Sequence, residues 1–254
     1  MVIMRIKKSY RYLLSFAVIT LMCSVFHTAY GQMNVPDNDK IAATIADATS
    51  PYYYPALMLR YQAGDTTLTA QDYHYLYYGY AFQDKYQPLE PIIWTDDIYA
   101  VFERGDTLDR EGAVEILSLA KRVMDQDPFS PSNINYMTYA YAILGDTLNE
   151  RISADRFSKI AATIEASGSG LTEKSPWHVL WFSHAADIMT IRGYEAVRRN
   201  IISRSVEYVR VAPNDDNVKG FYVDYSRLYW KRPETKPEVN SGSGFLLNGI
   251  KLKK

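Results

Sequence analysis

The sequence predicts an α+β fold, with about three repeat-like αα-hairpins followed by a small antiparallel β meander, and three observations predict it. The tripeptide Gly-Asp-Thr stands at 64–66, 105–107 and 145–147, an interval of roughly forty residues, the size of a stacked supersecondary unit. Around each copy the apolar residues keep helical spacing, as Val114, Leu117, Ala120 and Met124 do. After Gly170 the texture changes to β-branched and aromatic runs broken by turn residues.

Residues 1–31 read as a secretory signal peptide. Arg5, Lys7, Lys8 and Arg11 precede an apolar stretch over 13–26 that is short for a membrane span, and Ala29 and Gly31 are small residues placed for cleavage before Gln32. The only cysteine, Cys23, lies inside that stretch, so the mature chain would hold no thiol or disulfide. A single α+β domain is expected over 32–230, with hairpins at 52–166, mainly β structure at 175–230 and a flexible tail at 231–254.

The first hairpin reads from Tyr52-Tyr53-Tyr54-Pro55 to Tyr61, turns at Gly64, and continues as one helix over 69–86, with Thr69 and Asp72 placed for an N-cap. The second covers 95–103 and 109–127 and is stopped by Asp127-Pro128. The third covers 133–144 and continues to about residue 165, with Thr147 and Glu150 in capping-box form. In each turn the glycine would take the left-handed conformation, the aspartate would fold back on nearby amides and the threonine would cap the next helix. The pattern from Ala113 to Asp146 resembles a degenerate tetratricopeptide repeat. Beyond Gly170, 179–182 and 188–191 are β-prone, with a helix from Ser175-Pro176 as the competing reading, and 201–211 and 221–230 complete the meander. In the Pro-, Gly- and Ser-rich tail only Phe245-Leu246-Leu247 suggests docking.

Composition narrows the function. Loss of the leader removes four basic residues and no acid, leaving 24 against 29, and no basic stripe suited to nucleic acid is visible. No segment after the leader could span a bilayer. Phosphate-loop, dinucleotide and hydrolase-elbow patterns are missing, and no cofactor is implied. His74, His178 and His184, with Asp187 three residues beyond the last, lack the spacing of a zinc site. Asp65, Asp106 and Asp146 read as turn residues rather than a shared cation site, Asp96-Asp97 as a helix start and Asp215-Asp216 as a turn.

Tyrosine is the unusual residue, 22 in 254. Over 69–86 it covers two helix faces, Tyr73, Tyr77 and Tyr80 on one and Tyr75, Tyr78, Phe82 and Tyr86 on the other. Such a helix is either core, with hydroxyls reaching carbonyls or the surface, or an aromatic recognition surface. On the second reading Tyr75, Tyr78, Tyr80 and Phe82 are the candidate binding residues.

The stretch from Tyr53-Tyr54-Pro55-Ala56-Leu57 through Gly64-Asp65-Thr66 to Leu76-Tyr77-Tyr78-Gly79-Tyr80-Ala81-Phe82-Gln83 resembles the opening block of the domain of unknown function 4919 family. The likeness extends to His178-Val179 and Gly220-Phe221-Tyr222. It implies an exported protein of Bacteroides-type bacteria and carries no substrate, cofactor or catalytic residue with it. The function expected is therefore binding or scaffolding in the bacterial cell envelope, with a protein or an envelope component held by the hairpins. The alternative is a hydrolase with its site at the helix–sheet junction, built from His178, His184, Asp187 or Glu195.

Overall fold

Tyrosines organise the core of this chain, and the elements around them follow from local signals. The computed structural model describes residues 33–104 and 108–230, together with the short strands Leu246–Leu247 and Ile250–Lys251. The leader, the second Gly-Asp-Thr and Phe245 lie outside the described residues.

The helical part comprises α1 (Asn38–Ala46), α2 (Tyr54–Gln62), α3 (Ala70–Gly79), α4 (Trp94–Phe102), α5 (Arg110–Gln126), α6 (Pro131–Leu144) and α7 (Thr147–Ala166). Helix α1, unforeseen in the sequence, starts where the Asp37 carboxylate accepts the Lys40 amide. Helix α3 carries the full capping box between Thr69 and Asp72. It ends at Gly79, earlier than the helix expected over 69–86, and tightens into a 3-10 turn over Tyr80–Phe82. Close packing explains the glycine at 79, because a Cβ there would lie 3.0 Å from the Tyr54 ring.

Gly64 and Gly145 both close their helices with positive φ, 77° and 76°. The residues after them behave differently from expectation. At the third copy Asp146, not Thr147, caps α7, its Oδ1 accepting the Asn149 amide at 3.1 Å. Asp146 occupies the cap position one residue earlier than expected, which makes Thr147 the first helical residue. At the first copy Asp65 accepts both the amide and the hydroxyl of Thr67, and Thr69 makes the cap.

Helices α4 to α7 pack in order, each on the next, while α3 packs on α7 with α1 and α2 against it. The first hairpin therefore sits on the end of the array that is last in sequence. Residues 188–191, expected as strand, belong to helix α8 (Phe182–Ile191). Ala185, Ile188 and Met189 share the buried face of that helix, and their burial overrides β propensity.

Strands β1 (Trp177–His178), β2 (Ala196–Ile201), β3 (Val206–Val211) and β4 (Gly220–Asp224) form one sheet in the order β1-β4-β3-β2. The meander β2-β3-β4 is antiparallel, and β1 joins β4 in parallel through the long crossover that parallel pairing requires. Residues 226–229, read as a continuation of the last strand, form a 3-10 turn. Strands β5 (Leu246–Leu247) and β6 (Ile250–Lys251) make a separate two-stranded sheet within the segment expected to be a tail.

The core has two parts. The larger joins α1, α2, α3 and α8 to the sheet residues Val209, Val211, Phe221 and Val223. The smaller lies among α4, α5 and α6, around Ile98, Ile116, Val123 and Ala140.

Candidate functional site

Helix α3 and the turn after it face two chain segments, one at the α5–α6 junction and one at the β1–α8 junction, and tyrosines from α2, α3 and the residues after α3 bind both through backbone carbonyls. Tyr80 donates to the Gln126 carbonyl at 3.1 Å and Tyr61, from α2, to that of Pro128 at 2.6 Å. Tyr78 donates to the His178 carbonyl at 3.1 Å and Tyr86 to that of Leu180 at 2.7 Å. Burial is what makes these bonds obligatory, since a phenol out of water must find an acceptor inside.

Tyr75, Tyr78 and Tyr80 are 5%, 0% and 3% exposed. Phe82 is half-buried against Trp230. The four side chains do not form an open aromatic face: Tyr75 stacks on Tyr52 at 4.4 Å, and Tyr80 lies between Phe129 and Trp181.

At the centre lies a hydrogen-bonded chain that the sequence did not single out. Tyr77 accepts the Leu180 amide at 3.2 Å, which directs its own proton to His184 Nδ1 at 2.8 Å. His184 Nε2 then donates to Asp127 Oδ2 at 2.8 Å, and Asp127 Oδ1 accepts the Phe129 amide at 3.1 Å. Tyr77, His184 and Asp127 are each 0% exposed. Desolvation holds the Tyr77 phenol far above its ordinary pKa, so it stays a neutral donor. The groups are ordered here as in a catalytic relay, but all three are buried among the described residues; the chain acts as a lock between α3, α8 and the α5–α6 junction.

The remaining polar candidates are dispersed. Asp187 accepts the Ser132 amide at 3.2 Å, and burial raises its pKa. His178 faces Arg227, whose guanidinium is 2% exposed and reaches the Asn38 carboxamide at 2.5 Å. Burial first, then the Arg227 charge, depresses His178 to about 4, with Asp224 opposing. Glu195 is exposed and does not join the histidines in any contact among the described residues. Asp65 and Asp146 sit in separate turns, and among the described residues no three His, Cys, Asp or Glu side chains converge as metal ligands.

Open aromatic surface occurs elsewhere, on α4 and α6. Tyr99 and Phe102 of α4 meet Tyr136 of α6 at 6.1 and 5.3 Å between ring centroids, and Phe102 stacks with Tyr139 at 6.4 Å. Tyr99 is 47% exposed and Tyr139 50%. Both stand six residues ahead of the glycine of their Gly-Asp-Thr, so the repeat places them equivalently. That coincidence was the signal available in the sequence. Rings from two alternate helices of the array thus meet.

These features define an α+β protein in which helices pack on one face of a small, partly parallel sheet, with a locked polar centre and an exposed aromatic seam. The chain belongs to the DUF4919 family, described as a domain of unknown function, whose sequence profile matches residues 39–232. No curated protein matches the chain, and no solved structure does.

Proposed function

We propose that this chain is an exported binding protein of the bacterial cell envelope that holds a protein or an envelope component along its helical hairpins. The observation that carries the proposal is the four-ring seam of Tyr99, Phe102, Tyr136 and Tyr139. Rings of this kind supply contact area at low entropic cost and are favoured where partners dock. In this reading the recognition role expected of Tyr75, Tyr78, Tyr80 and Phe82 falls instead to a seam whose outer rings, Tyr99 and Tyr139, are exposed. Closure of the Tyr77–His184–Asp127 chain and dispersal of His178, Asp187 and Glu195 favour binding over hydrolysis. Export rests on the leader over 1–31.

The test is a photo-crosslinking amino acid at Tyr99 or Tyr139, with Val114 of α5, 58% exposed, as the control position, in the native host. A discrete adduct from the two tyrosine positions and none from Val114 is the expected result. Equal labelling at all three would remove the proposal.

A further inference from the structure

The sheet has a second face, opposite the one that packs on the helices. Strand register sets Asn200, Tyr208 and Tyr222 in one row and Arg198, Arg210 and Gly220 in the next, all on one face. Val209, Val211, Phe221 and Val223 point the other way, into the core. Tyr208 and Tyr222 pair at 4.8 Å between centroids, and the Tyr208 ring lies over Gly220, where a Cβ would come within 2.8 Å of it.

Arg198 and Arg210 are directly opposite each other across the β2–β3 ladder, and both are exposed. Like charges in that relation repel and destabilise a sheet. Neither makes an ion pair or side-chain hydrogen bond among the described residues, whereas Arg199 beside them is held by Glu207 at 2.7 Å. Asp224, the acid on the same face, lies at its far end and accepts the Ser226 amide. Next to Arg210 a hollow of about 130 Å³ is lined also by Asn217 and Lys219. Two guanidinium forks without a carboxylate partner among the described residues, a pair of half-exposed rings and a carboxamide thus share one face.

We propose that this face binds an acidic saccharide. Its carboxylate is taken by Arg198 and Arg210, which relieves their repulsion through fork geometry that a lysine could not supply. Its sugar ring lies on Tyr208 and Tyr222, where C–H groups meet the negative ring face, and Asn200 takes a hydroxyl. The site is separate from the α4–α6 seam and does not depend on it.

The experiment is affinity electrophoresis of the protein, as its host produces it, in gels holding polygalacturonate, neutral dextran, polyglutamate or dextran sulfate. Polygalacturonate is expected to retard the protein and neutral dextran not. Arg198→Ala and Arg210→Ala should each weaken retardation at least fivefold, Arg210→Lys should fall between, and Tyr208→Leu should weaken it for the saccharide alone. Arg204→Ala, in the exposed β2–β3 turn, should match the parent. Melting curves verify that each variant is folded. No retardation by polygalacturonate overturns the proposal. Equal retardation by polyglutamate or dextran sulfate, unchanged in Tyr208→Leu, also overturns it, in favour of an acidic protein partner or of simple charge attraction.

Discussion

At the scale of single residues, the buried hydroxyl of Tyr77 is the most consequential atom described. Tyr77→Phe would leave the Leu180 amide and His184 Nδ1 without partners. The expected cost is about 1–3 kcal/mol in denaturant unfolding, with the fold retained by circular dichroism. Histidines give a second prediction. Burial, then Arg227 and Lys40, hold His74 near 4, and His178 is held near 4 as well. The unfolded chain, with histidine near 6.5, takes up more protons between about 4 and 6.5, so stability should fall as pH is lowered through that window. Urea midpoints at pH 7.5 and 4.5 measure the fall, and His74→Leu should make it shallower. The cap at Thr69–Asp72 could be read from the sequence because its partners are three positions apart. The Tyr77–His184–Asp127 chain could not, because its members are separated by 107 and 57 positions and nothing local marks Asp127 as more than a helix stop.

Elements show how one sequence signal can carry two structural loads. Gly64 and Gly145 have the same left-handed backbone, yet a Cβ at Gly64 would lie 2.9 Å from Ile152 of α7, while at Gly145 nothing lies within 4 Å. Gly145→Ala should therefore cost only the backbone strain, about 1 kcal/mol, and Gly64→Ala more, because the Ile152 side chain must also give way. Scanning calorimetry of the two variants checks the order, and equal melting temperatures would contradict it. The repeat was legible because each turn is local chemistry. What the turn packs against was not, since the first hairpin docks on α7 rather than on α4. Strand propensity at 188–191 misled for the same reason, as burial against the core decides α8.

For the whole molecule, the tyrosines of α3 hold the helices and the sheet together. Replacing Tyr75 and Tyr78 together by alanine removes two buried rings and the bond to the His178 carbonyl. At roughly 3–5 kcal/mol for each large aromatic lost, the pair approaches the full stability of a domain. The double variant should lose its cooperative melting transition; a transition at the parent temperature would refute the core assignment. Fold class was visible in the change of periodicity after Gly170, but the crossover to β1 was not, because two residues carry no period. A last consequence concerns the order of events in folding. Arg227 reaches the Pro36 carbonyl and the Asn38 side chain, bridging 191 and 189 positions, and Asn34 bonds the Ala166 carbonyl. The opening segment of the domain is thus fastened by almost its final turn, like a clasp that only the whole length can shut. A chain still emerging from the ribosome can dock Asn34 on Ala166 early, but the Arg227 contacts to residues 36 and 38 close only after residue 227 has followed, so this fastening is completed late.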